Sequence, residues 1–312
     1  QSIGAQRDLI EHSPLGKLID IGGYRLHLYC VGDGSPTIIL MHGLGGNVYH
    51  WAQIQPALAR ETRVCAYDRA GYGWSDSGPR PRSPLQNARE LRALLDQAGI
   101  HDALILVGHS YGTNLAQVYA DQYPDQIKGL VLIDGGVATQ VTQQCSSLNC
   151  MPPTAYAGAD LFLNLQPILF RSGLLRLLGF SQPYSDNLKY LSAEQRSGLI
   201  AGYGQTQGAD TNLAEWRDWD NHIGKVGQPE SLGKIPVRVL MADEKLPDWS
   251  YGSDPEKWRG YEQALLTELA RLSSDSQVKV IPNSDHASML FNSKQWQNVV
   301  SSVLELVQLS RN

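Results

Sequence analysis

The sequence predicts an α/β protein: an open, mostly parallel sheet with helices on both faces and one helical insertion. Three observations point there. Short β-rich apolar runs alternate with longer helical patterns along most of the chain. The runs are continuously apolar rather than alternating, as strands buried on both faces of a parallel sheet are. One interval, from about Val137 to Leu232, holds no strand of similar quality.

Taken in order, the runs are RLHLYCVG (25–32), TIILMHG (37–43), RVCAYD (63–68), ALILVGHS (103–110), GLVLIDG (129–135), VRVLMA (237–242) and VKVIPN (278–283). A helix is expected from Pro84: Ser83 and Gln86 have capping-box spacing, Pro84 suits the first helical position, and Leu85, Ala88, Leu91 and Leu95 share a stripe that Gly99 ends. Tyr111 to about Tyr123 reads as a second helix, stopped by Pro124. Trp258, Tyr261, Leu265, Leu269 and Leu272 form a third stripe, and Trp296, Val299, Val300, Val303 and Val307 a fourth.

Inside the strand-free interval, ADLFLNLQPILFRSGLLRLLGF reads as amphipathic helix. That interval is too long for a plain connection. It is expected to form a helical cap over residues 137–232, leaving 1–136 and 233–312 as the core domain.

Charge narrows the function classes. Lys and Arg number 26 against 31 Asp and Glu, and no basic stretch occurs, so a nucleic-acid surface is not expected. No apolar run approaches the roughly 18 residues of a membrane span. The first residue is Gln1, and a leader or anchor upstream of it would not be seen. Cys145 and Cys150 close the short polar loop CSSLNC, where thiols have no packing role, which favours an oxidising, extracytoplasmic setting.

One motif carries chemistry. Gly108-His109-Ser110-Tyr111-Gly112 lies between an expected strand and an expected helix. A G-x-S-x-G in that context is a nucleophile elbow: a strained turn exposes the serine hydroxyl, and the glycines remove Cβ atoms that would strike neighbouring backbone. The helix that follows points its free N–H groups at developing negative charge.

With His42-Gly43-Leu44-Gly45-Gly46, Asp68-Arg69-Ala70-Gly71-Tyr72-Gly73 and this elbow, the chain resembles the α/β-hydrolase family, in its esterase-like serine branch, across nearly its whole length. The resemblance implies an eight-stranded, mostly parallel sheet in the order 1-2-4-3-5-6-7-8, with the cap inserted after strand six. It implies an oxyanion hole from the backbone N–H groups of Leu44 and Tyr111. It also places Cys30 and Cys65 on neighbouring strands, so Cys30–Cys65 is an expected disulfide beside the short-loop pair Cys145–Cys150; reduced core thiols, with a cytoplasmic setting, are the alternative. No metal or cofactor is required.

The same resemblance makes His286, just past the last strand in IPNSDHASML, the base for Ser110. His42 is the rival, although in its HG turn it better suits bracing the oxyanion loop; His50, His109 and His222 have weaker claims. The acid has two candidates. After strand seven, VLMADEKLPD has Ala242 for the usual glycine and Lys245 where the family has aspartate. Asp134, at the end of strand six in LVLIDGG, is therefore preferred, with Asp243 left open. Asp68, Arg69 and Asp76 are read as supports of the loop after strand four.

Serine at the elbow argues against the dehalogenase and epoxide hydrolase branches, which use a carboxylate nucleophile. The expected activity is hydrolysis of a small-molecule carboxylic ester, apolar or aromatic in its acyl part, through an acyl-enzyme. A carbon–carbon bond hydrolase, a cofactor-free haloperoxidase and a non-enzymatic ligand receptor are the alternatives. The apolar residues Leu161, Phe162, Leu165, Ile168, Leu169, Phe170, Leu174, Leu175, Leu177 and Leu178, with Trp216, Trp219 and Trp249, either line the acyl site or pack the cap.

Overall fold

The structure, a computed structural model, describes residues 7, 10–135, 153–173, 187–222, 231–243 and 255–311, with side chains at all of these except 153–160, 219–222 and 255–262. Eight strands form one sheet: β1 (Lys17–Asp20), β2 (Arg25–Val31), β3 (Thr37–Met41), β4 (Val64–Tyr67), β5 (Leu104–His109), β6 (Ile127–Ile133), β7 (Val237–Ala242) and β8 (Ser276–Ile281). Their order is β1-β2-β4-β3-β5-β6-β7-β8, as the resemblance implied. Strand β2 runs antiparallel to both β1 and β4, and every other pairing is parallel.

Strand β1 is absent from the apolar runs of the sequence. It is an edge strand of KLID, largely exposed, so it carries no core pattern to read. The central strands differ: all five residues of β3 and all six of β5 are buried. Side-chain alternation splits each between two cores. Ile39 and Met41 pack with helices α2 (Pro84–Gln97) and α3 (Tyr111–Gln122) on one face. Ile38 and Leu40 pack with α1 (Ile54–Leu58) and the C-terminal helix Ser293–Arg311 on the other. The sheet is thus covered on both sides.

Helix α2 starts as the sequence indicates, with Ser83 Oγ accepting the Gln86 N–H at 3.1 Å, and Gly99 follows its end at φ +69°. The reciprocal half of the capping box gives way to another bond: Gln86 Nε2 donates to Glu90 Oε1 at 3.1 Å.

Between β6 and β7 the described residues form α4 (Pro153–Ser172), α5 (Ala193–Tyr203) and α6 (Thr206–His222), and none of them is a strand. Helices α5 and α6 sit tightly on the loops at the carboxyl edge of the sheet. A Cβ on Gly198 would lie 2.2 Å from Tyr49 Cζ, and one on Gly71 would lie 1.9 Å from Thr211 Oγ1. The stripe expected to line a site or pack inward behaves differently: Leu161, Phe162, Leu165 and Ile168 are exposed, while Phe170 and Trp216 are buried. Leu174 to Leu178, Trp249 and the Trp219 side chain fall outside the described residues.

Helices α7 (Pro255–Arg271), α8 (Ser288–Phe291) and α9 (Ser293–Arg311) complete the fold. Val299, Val303 and Val307 bury the stripe expected of α9, as Leu269 and Leu272 do at the end of α7. Among the described residues no helix is long and apolar enough to cross a membrane.

Cys30 and Cys65 face each other across β2 and β4 and form a disulfide. Cys145 and Cys150 lie outside the described residues. Closing a loop of 35 residues contributes about 2–4 kcal/mol on the usual scale for such cross-links. Peptide mass spectrometry on denatured, unreduced, alkylated protein should recover Cys30 and Cys65 as one cross-linked pair. Two alkylated cysteines there would contradict the bond.

Candidate active site

Three strand ends converge on Ser110. The serine follows β5 at φ +54°, in the left-handed region that costs a non-glycine residue about 1–3 kcal/mol. Its neighbours are glycines of necessity. A Cβ on Gly108 would lie 2.4 Å from the Gly112 carbonyl oxygen, and one on Gly112 would lie 2.1 Å from that of Met41 in β3. The turn is held by the Ser110 N–H, which donates to Ile133 O at 2.9 Å, and by the Thr113 N–H and hydroxyl, which donate to Ser110 O at 2.9 and 2.7 Å.

Ile133 precedes Asp134, and that hydrogen bond sets the end of β6 beside the elbow. Asp134 is itself left-handed, at φ +43°. Its Oδ1 accepts the Ala242 N–H at 2.9 Å, and its Oδ2 accepts a hydrogen from His286 Nδ1 at 2.6 Å. Burial opposes ionisation of Asp134, but the hydrogen bond and charge of His286, with the Ala242 amide, hold it below the ordinary carboxylate range. Because the folded-state value is depressed, the stabilisation from this charge is full above the unfolded value near 4 and is lost as pH falls through the folded one. Asp243, by contrast, is exposed, and its N–H donates to Ser284 Oγ at 3.2 Å. Of the two candidate acids, the structure brings Asp134 to His286.

The His286 ring stands beside the elbow, 4.5 Å between centroids from the ring of His109, the residue before Ser110. His109 Nε2 donates to the His286 carbonyl oxygen at 3.0 Å, which fixes the loop after β8 against the end of β5. Burial, and then the proximity of His286, push the His109 imidazole well below its usual pKa, so it stays neutral. Sequence reasoning gave His109 no such part: the variable position of the motif carries no local signal for a contact 177 residues away.

The loop after β3 reaches the elbow from the other side. A Cβ on Gly43 would lie 2.9 Å from Ser110 Cβ, so the loop's backbone touches the serine. Leu44 follows directly, and Tyr111 is the first residue of α3, where an N–H has no acceptor a turn behind it. Beneath this loop lies Arg69, 1% exposed. Its guanidinium donates to the carbonyl oxygens of His42 and, at 3.1 Å, Gly43. On its other side it grips Glu215 of α6 with two bonds, of 2.9 and 2.8 Å. Arg69 therefore does more than support its own loop, and Glu215 carried no signal in the sequence.

His42 is buried and neutral, its pKa lowered well below normal by burial and then by Arg69. Its Nδ1 donates to Gly43 O at 2.8 Å, which suits a brace rather than a base. His50 is buried too, and burial pushes it down to about 4. The His222 side chain lies outside the described residues. Asp68 accepts from the Val48 N–H at 2.8 Å and the Trp74 N–H at 3.1 Å and pairs with His27, while Asp76 pairs with Arg25. Among the described residues no group of three or more His, Cys, Asp or Glu is placed to hold a metal ion.

Comparison with known proteins agrees with this architecture. Residues 36–225 match the family model of the alpha/beta hydrolase fold. A hydrolase of Klebsiella pneumoniae named for 2-hydroxy-6-oxononadienedioate and 2-hydroxy-6-oxononatrienedioate is 36% identical over 38% of this chain and 43% of its own. An Azorhizobium caulinodans protein provisionally named carbamate hydrolase RutD is 35% identical over 71% of this chain and 76% of its own. An epoxide hydrolase structure from Bacillus megaterium superposes with a TM-score of 0.68 at 17% identity, covering 94% of this chain and all of that one. The chain spans less than half the length of the first curated relatives it matches, 42% of each. With the family model covering well over half of its residues, the chain belongs to the alpha/beta hydrolase fold family.

Proposed function

We propose that the protein is a serine hydrolase that cleaves carboxylic esters through an acyl-enzyme, with Ser110, His286 and Asp134 as its triad. The observation that carries this reading is the 2.6 Å bond between His286 Nδ1 and Asp134 Oδ2, set beside a serine in a strained turn. A proton on Nδ1 leaves Nε2 to act as the base. In the first step Ser110 Oγ attacks the ester carbonyl and His286 takes its proton. The tetrahedral oxyanion is held by the Leu44 and Tyr111 amides, the C–O bond to the alcohol breaks, and His286 returns the proton to the leaving oxygen. Water then attacks the acyl carbon as His286 takes its proton; the acyl–Oγ bond breaks, His286 returns the proton to Ser110 Oγ, and the carboxylic acid leaves. Ionised Asp134 orients the imidazole and stabilises its cationic form.

Helices α4, α5 and α6 are proposed as the cap of residues 137–232. A small cleft lined by Gly45, Tyr72, Gln166, Phe170, Tyr203 and Asn212 opens next to the oxyanion loop. At about 10 Å³ that cleft holds no acyl group, and an apolar acyl or aryl ester is proposed as substrate from the apolar residues of the insertion alone. A carbon–carbon bond hydrolase is the second reading, favoured by the name of the Klebsiella relative. The Cys30–Cys65 disulfide supports an oxidising, extracytoplasmic setting.

Comparing kcat/KM for p-nitrophenyl esters of graded acyl length with that for 2-hydroxy-6-oxononadienedioate separates the two readings, the ester being the better substrate if the first holds and the dienedioate if the second does. Ser110→Ala should abolish ester hydrolysis without unfolding the protein, and a serine-directed phosphonate should add its mass to the Ser110 peptide alone. Near-normal hydrolysis by the alanine variant would sink the mechanism.

The acid is tested by comparing Asp134→Asn with Asp243→Asn. The first should lower kcat by up to about 10⁴-fold, the scale seen when a triad aspartate loses its charge. The second should leave kcat within about twofold of wild type, as expected of an exposed side chain away from the imidazole. The opposite ranking would move the acid to the end of β7.

A further inference from the structure

Glu215 is fully buried in α6, where it pairs with Arg69, and each of its carboxylate oxygens accepts two hydrogen bonds. Oε1 accepts from Arg69 Nε at 2.9 Å and Asn87 Nδ2 at 3.2 Å; Oε2 accepts from Arg69 Nη2 at 2.8 Å and the Tyr72 hydroxyl at 2.9 Å. Asn87 is in turn held by Arg82, whose guanidinium pairs with Glu90. Burial works against the Arg69 charge, and Glu215 overcomes it, so the guanidinium stays protonated. A buried pair of this kind is a poor route to stability alone, because desolvating two ions costs about as much as their attraction returns. What it does provide is direction. Arg69 is a planar fork, and the edge not used by Glu215 is aimed at two consecutive carbonyls, those of His42 and Gly43.

Those carbonyls belong to the peptides that enter Leu44. The Gly43 carbonyl and the Leu44 amide are the two ends of one planar peptide unit, so fixing the first fixes the direction of the second. The same helix also packs near the loop: Asn212, one turn before Glu215, leaves only 3.7 Å to where a Cβ on Gly45 would be, and donates to Gln166 of α4 at 3.0 Å. Buried hydrogen bonds thus join α4 to α6 through Gln166 and Asn212, and α6 to the loop after β3 through Glu215 and Arg69.

We infer that Arg69 and Glu215 are positioning residues that aim the Leu44 amide, so that helix α6 of the insertion is part of the rigid catalytic frame and not a lid free to leave it. As it concerns an oxyanion hole, this inference rests on the serine hydrolase reading. The geometric part, that the pair immobilises residues 42–46, stands apart from it.

Two single variants and one double variant divide the pair. Arg69→Lys keeps the charge opposite Glu215 but loses the fork on the His42 and Gly43 carbonyls. Glu215→Gln removes the charge that holds the fork in place. Arg69→Met with Glu215→Leu removes both ions at similar volume, which avoids leaving one of them unpaired, and keeps the test open should a single variant not fold. Three readouts are taken on each folded variant: kcat and KM for p-nitrophenyl butyrate, the inhibition constant of an alkyl boronic acid that turns tetrahedral on the serine, and amide hydrogen exchange of the peptide spanning 42–46.

Arg69→Lys should lower kcat about 10²-fold, the scale for losing one oxyanion donor. KM should change less than about threefold, and the boronic acid should weaken in step with kcat, since both rely on the aimed amide. Exchange of 42–46 should rise about tenfold in all three variants, because the anchored carbonyls are freed. Folded variants that keep kcat, boronic acid affinity and loop exchange within about twofold of wild type would overturn the inference. A wild-type protein that neither turns over esters nor binds the boronic acid would instead refute the hydrolase reading. Loop exchange would then still decide whether the pair holds the loop.

Discussion

Two backbone turns, after β3 and after β5, approach each other more closely than any side chain allows, and the site is arranged around that approach. Gly112 passes over the Met41 carbonyl and Gly43 touches the Ser110 side chain; a single added Cβ at either point would meet atoms at 2.1 or 2.9 Å. The glycines remove the obstruction but supply no force that holds the turns together. That comes from the parallel pairing of β3 with β5, which puts Met41 opposite Gly108, and from the buried core on both sides of these strands. The strain at Ser110 is tolerated because the sheet beneath it is too well packed to yield.

Charge near the serine is arranged with the same economy. Asp134 is the negative group beside His286, and it is satisfied on its other oxygen by a backbone amide. His42, His50 and His109 crowd the same region, and burial leads in keeping each of them neutral. The Arg69 cation lies under the loop after β3 but is matched by Glu215, so it acts through hydrogen bonds more than through a long-range field. In the mechanism proposed above, a charge that forms during reaction would meet amide dipoles fixed by this frame.

What the sequence made legible follows the range of each signal. Ser110 and its glycines lie within five residues and stand out directly, whereas His286 follows a plain apolar run and is singled out only by the family resemblance. Asp134 and Asp243 stand at the ends of neighbouring strands. Local sequence cannot rank them; in the fold the Ala242 amide turns to Asp134, which lies beside His286, while Asp243 is exposed. Strand β1 escaped notice because an exposed edge has no apolar period. Glu215 escaped for a different reason: nothing local in AEWRDWDNH marks its carboxylate for burial, and the partner it pairs with is 146 residues distant. The exposed Leu161, Phe162, Leu165 and Ile168 mark the opposite error, a stripe whose periodicity was right and whose burial was not.

The central claim is that one acyl group passes through Ser110 whatever alcohol it arrived on. It is tested most directly by letting the enzyme hydrolyse butyrate esters of several phenols in water containing methanol, and measuring the ratio of methyl butyrate to butyric acid. A common acyl-enzyme predicts the same ratio for every leaving group. A ratio that shifts with the phenol, or no turnover of any of these esters, would contradict the account.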